Sequence, residues 1–157
     1  MPHAPVTTRR AVLAAGLAGA GALALPQNAR AGEDPVFSDW RGRAIRGYDP
    51  VAYFTQGRAV RGDSDFEARW KGASWRFASA ENRDLFLADP ERYAPQYGGW
   101  CAWAVSEGSV ASVDPEQWTI TDGKLYLNYN PDIQRRWRAD MAERIRRADA
   151  QWPGVLE

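Results

Sequence analysis

Asp122-Gly123 separates two short stretches: Gln117-Trp118-Thr119-Ile120, and Lys124-Leu125-Tyr126-Leu127-Asn128-Tyr129. A tight two-strand connection needs positive φ at its centre, which Asp-Gly supplies at little steric cost, so this segment predicts a β-hairpin. A second unit of the same kind lies upstream. Phe66, Ala68 and Trp70 alternate with Asp65, Glu67 and Arg69, the period-two pattern of a half-buried strand. Lys71-Gly72-Ala73-Ser74 then turns the chain, and Trp75-Arg76-Phe77 alternates again.

Helical signals fill the spaces around the hairpins. Ser79 is placed to cap a helix running through about Ala88, which Asp89-Pro90 ends, and a short helical turn follows at Tyr93. After Gly98-Gly99, residues Trp100 to Glu107 have helical spacing and Gly108 stands at the C-cap, which predicts Cys101 in the first turn of a helix. Asn130 and Pro131 open a last helix with Ile133, Trp137, Met141, Ile145 and Ala148 along one stripe, stopped by Trp152-Pro153-Gly154. Gly47-Tyr48-Asp49-Pro50 is turn chemistry before a short apolar run, Val51 to Phe54. Asp34 to about Ile45 reads as an irregular lead-in anchored by Phe37 and Trp40. Two hairpins and about three helices predict a small single α+β domain.

Residues 1–31 read as an export signal rather than part of that domain, which is expected to span 32–157. Thr7-Thr8-Arg9-Arg10 precedes an Ala/Gly/Leu-rich run from Ala11 to Leu25, and Ala29-Arg30-Ala31 supplies a small-x-small cleavage site. The paired arginines and weakly apolar core resemble a twin-arginine signal, with a Sec signal that happens to carry two arginines as the other reading. The apolar run is about fifteen residues, short of the roughly twenty that a membrane span needs, so no stable span is expected after cleavage. The expected location is periplasmic or otherwise exported.

Cleavage would narrow the available chemistry. Removing Arg9, Arg10 and Arg30 from the 20 basic residues leaves 17 against 20 acidic ones, a charge of −3, which argues against nucleic acid as a partner. The arginines at 135, 136, 138, 144, 146 and 147 are interleaved with acids and read as a solvated helix face. The only histidine, His3, leaves with the signal, so histidine-dependent nucleophiles and metal sites are excluded from the remainder.

GYDPVAYF (47–54), WRFASAENRDLFLADPERYAPQYGG (75–99), WCAWAVSEG (100–108) and DGKLYLNYN (122–130), taken together, resemble the YHS domain family. They are most similar to its exported bacterial branch, some of whose members carry selenocysteine at the position matching Cys101. The resemblance implies a treble-clef-like core. Metal-binding members place cysteines at positions that match Ala52, Ala78 and Asn82 here, so the soft-metal site of those members lacks its thiolates in this chain.

Cys101 is the only cysteine, and it carries the functional expectation. A first-turn thiol near unpaired amides would favour thiolate, and an unpaired cysteine in an oxidising compartment is expected to be either used or buried. Used, it would be a redox thiol or a contact for a soft metal such as copper or zinc, completed by a second chain or another ligand. An envelope protein or a thiol would be its partner. Buried among Trp100, Ala102, Trp103, Ala104 and Val105, it would be inert, and the domain a structural or partner-binding module. Tyr97, Gly98, Gly99, Trp100, Trp103, Tyr48 and Asp49 are the expected supporting residues, with Asp49 also read as a turn former bonding nearby amides.

Overall fold

A computed structural model describes residues 32–157; the expected signal segment, 1–31, lies outside the described residues. The element order is α1 (Pro50–Thr55), β1 (Asp63–Trp70), β2 (Ala73–Phe77), α2 (Ala80–Ala88), α3 (Pro90–Tyr93), α4 (Ala102–Ser106), β3 (Asp114–Thr121), β4 (Lys124–Asn128), α5 (Pro131–Ala139) and α6 (Met141–Gln151). Helices and strands mix as an α+β fold, and among the described residues no helix is long and apolar enough to cross a membrane.

Each hairpin is a two-stranded antiparallel sheet of its own, β1 with β2 and β3 with β4. The registers pair Ala68 with Trp75 and Ile120 with Leu125, and each ladder is irregular where its first strand begins, between Asp63 and Glu67 and between Asp114 and Trp118. An isolated two-stranded ribbon is marginal in water, so each hairpin depends on helices for cover. Phe86 of α2 packs on Trp75 and Phe77 with ring centroids 5.0 and 5.2 Å apart, covering the first. Trp137 of α5 lies 5.2 Å from Tyr126 and covers the second. One continuous buried cluster contains both sets of rings.

Local signals place the helix starts. The Ser79 hydroxyl accepts from the Asn82 amide at 3.1 Å, and the Asn130 side chain accepts from Ile133 at 2.8 Å. Three expectations change. Val51–Phe54, an unassigned apolar run in the sequence, lies within α1. The last helix is two, broken at Asp140, whose φ/ψ of −137/41 lies outside the helical region; the break lets α5 pack on the second hairpin while α6 lies against α4. Finally, Trp40 is no anchor, being 85% exposed, whereas Phe37 is buried against Trp100 at 5.1 Å.

Candidate functional site

Cys101 is the N-cap residue of α4 rather than a first-turn residue, and α4 is only five residues long. Its amide donates to Ala111 O at 3.0 Å, its carbonyl accepts from Val105 N at 3.0 Å, and the residue is 1% exposed. The Sγ lies 3.8 Å from Asn128 Oδ1, which also accepts from the Trp103 amide at 3.3 Å. Burial pushes the thiol up from its ordinary range, and it outweighs the amides of Ala104, Tyr129 and Trp103, which favour the thiolate. The sequence expectation of a thiol lowered by a helix terminus is therefore reversed: loss of water costs the thiolate more than a single turn of amides returns.

The supporting residues separate into distinct places. The Trp100 indole donates to Asp34 O at 2.9 Å and fastens the lead-in segment. Trp103 lies beneath the Arg144 guanidinium at 3.6 Å, and that guanidinium also bonds Ser106 at 3.2 Å and Glu107. Tyr48 carries the Arg61 guanidinium over its ring at 5.0 Å. Tyr97 and Gly98 line a cavity, with the Tyr97 hydroxyl donating to Asp149 at 2.8 Å. Burial beside the Asp149 carboxylate raises the Tyr97 phenol far above its usual range, so it stays a donor. Gly99 is buried next to Pro95.

Asp49 is a buried acid that binds four residues, Val51, Ala52, Ala78 and Asn82. It is 0% exposed, and its Oδ1 accepts from the Val51 and Ala52 amides at 2.8 and 3.3 Å, capping α1. Its Oδ2 accepts from the Ala78 amide at 2.8 Å and from Asn82 Nδ2 at 2.7 Å. Ala52, Ala78 and Asn82 are the three positions where the resemblance places metal-binding cysteines, and all three donate to this one carboxylate. A carboxylate offers about four lone-pair directions, and four donors occupy them here. No lone pair is left for a cation, and no thiolate stands among these residues, so the donor set does not fit a soft metal. Among the described residues no three His, Cys, Asp or Glu side chains cluster closely enough to share an ion.

The parts that Asp49 joins, α1, the β1–β2 hairpin and α2, fall almost wholly within a segment that a known family describes. The model of the YHS domain matches residues 51–97. That segment is similar to a YHS domain. No curated protein and no solved structure matches the chain. The YHS match runs from α1 through α3 and ends at Tyr97, so Cys101, the second hairpin and the two last helices lie beyond it. Asp49 stands two residues before its start.

Sequence reasoning missed Asn128, the polar group facing the thiol, and Arg144, the cation over Trp103. A buried Asn closing an otherwise apolar strand was the only local signal for the first; nothing local pairs Arg144 with a residue 41 positions away.

Proposed function

We propose that the chain is an exported, non-catalytic binding module of the cell envelope, built on a YHS domain, in which Cys101 is a core thiol. The observation that carries this reading is the closure of the sulfur: Cys101 is 1% exposed, and burial holds its proton on. A thiol that neither ionises near neutrality nor meets solvent is a poor nucleophile and a poor metal ligand. The lack of cysteine at 52, 78 and 82 agrees, because Asp49 there binds the Ala78 amide and the Asn82 side chain, joining α1 to the end of the first hairpin and to α2. Export rests on residues 1–31: paired arginines, an apolar run and a small-x-small site.

Titration with a disulfide thiol reagent across pH tests the reading on protein purified from the cell that makes it. Native protein is expected to react at least about a hundredfold more slowly than denaturant-unfolded protein near neutral pH, because reagent must wait for opening. Native reaction at the unfolded rate, with an apparent pKa below about 8.5, would instead establish the redox-thiol function.

A further inference from the structure

The two hairpin tips converge on one cavity. Its volume is about 740 Å³, within the roughly 300–1,000 Å³ usual for small-molecule sites, and its lining includes Trp70 and Lys71 from the first tip, Lys124 from the second, and Asp149 and Trp152 from the end of α6. Lys71 and Lys124 are the only lysines in the chain, which otherwise uses arginine for positive charge. The turns that close the two hairpins therefore each bring an ammonium to the same rim.

The charges on that rim are not equivalent. Lys71 is already spent: its Nζ is 2.7 Å from Glu91 and lies over the Trp70 ring at 4.4 Å. Lys124 and Asp149 have no ion-pair partner among the described residues, and they do not pair with each other. Asp149 is instead held by the Tyr97 hydroxyl at 2.8 Å, which orients it without neutralising it. In the same cavity, Tyr97 and the half-buried Trp152 meet at 61° with centroids 5.9 Å apart, forming an aromatic corner. The cavity thus offers one free cation, one free anion and an aromatic wall.

We infer that this cavity binds a small zwitterion of amino-acid type with an apolar or aromatic side group, its carboxylate facing Lys124, its ammonium facing Asp149 and its side group against Tyr97 and Trp152. A simple anion would leave Asp149 opposed to it, and a simple cation would do the same with Lys124; a ligand bearing both charges leaves neither unpaired. The inference names a ligand for the binding module proposed above and rests on that reading, but the thiol titration and the binding experiment can fail independently.

Calorimetric titration with L-phenylalanine, L-phenylalaninamide and N-acetyl-L-phenylalanine, on protein from the producing cell, tests it. Phenylalanine is expected to bind about two- to fivefold tighter than either blocked analogue, the scale of one exposed ion pair. Lys124→Gln is expected to erase the preference over the amide while keeping the preference over the N-acetyl compound, and Asp149→Asn the reverse. Trp152→Ala is expected to weaken all three together, with a cooperative melt showing that each variant is folded. Absence of saturable phenylalanine binding by folded protein overturns the proposal, as do equal affinities for the three compounds or preferences that survive both charge substitutions.

Discussion

Replacing Asp49 with alanine removes a side chain that nothing else in the fold can replace. Four donors lose their acceptor at once: the amides of Val51, Ala52 and Ala78, and the Asn82 side chain. The two at the start of α1 amount to an N-cap, worth about 0.5–2 kcal/mol. The Ala78 amide and the Asn82 amide group are left buried or partly buried without a partner, at about 1–3 kcal/mol each. The expected loss is about 3–8 kcal/mol, a large share of the roughly 5–15 kcal/mol that holds a domain folded. At about 4 °C per kcal/mol for a domain of this size, the melting temperature should fall by about 12 °C or more. Asp49→Asn keeps one accepting oxygen but turns an NH2 toward two donors, so it should fall between wild type and Asp49→Ala. Urea unfolding followed by tryptophan fluorescence reads both, with midpoints shifted and slopes unchanged. A loss below about 1 kcal/mol for Asp49→Ala would refute the claim that this carboxylate joins α1 to the hairpin.

Gly98 has φ +59, and a Cβ there would lie 1.8 Å from the Pro35 carbonyl oxygen, so Gly98→Ala should destabilise by about 2–5 kcal/mol and detach the lead-in segment; limited proteolysis near Pro35 together with a thermal melt would register both effects. The raised Cys101 thiol makes a pH prediction. The folded state keeps a proton that the unfolded chain has lost, so this contribution is whole below about pH 8.5 and declines as pH rises through the folded-state value. Cys101→Ala should therefore flatten the fall in stability between about pH 8.5 and 10 relative to wild type, the tyrosine contribution being common to both proteins, and an unchanged slope in urea midpoints measured across that range would count against it. Arg144→Lys loses the planar stacking on Trp103 and the paired bonds to Ser106 and Glu107, at an expected cost of about 1–2 kcal/mol by urea midpoint, with a shifted tryptophan emission.

Much of the fold is legible locally because its causes are local. Asp-Gly at 122–123, the alternation before Trp70 and the caps at Ser79 and Asn130 act over a few residues, and each element they predict is present. The break at Asp140 was not legible, since Ile133, Trp137, Met141, Ile145 and Ala148 continue one stripe across it. Its cause is that two different surfaces compete for the two halves of that stripe. Trp40 failed for the related reason that an aromatic ring predicts burial only if something is there to bury it.

By itself the sequence determined the similarity of residues 51–97 to a YHS domain, the absence of cysteine at 52, 78 and 82, and the restriction of any thiol chemistry to Cys101. Only the tertiary structure decided what those positions do. Water's access to a sulfur depends on the packing of residues far apart in the chain, here Asn128 at the end of the second hairpin, and the Tyr129 amide beside it, against the start of α4. The same holds for Asp49, which is turn chemistry in the sequence; its bonds to Ala78 and Asn82 reach 29 and 33 residues along the chain. Desolvation and convergence are properties of where the chain returns to itself, and no window of neighbouring residues contains them.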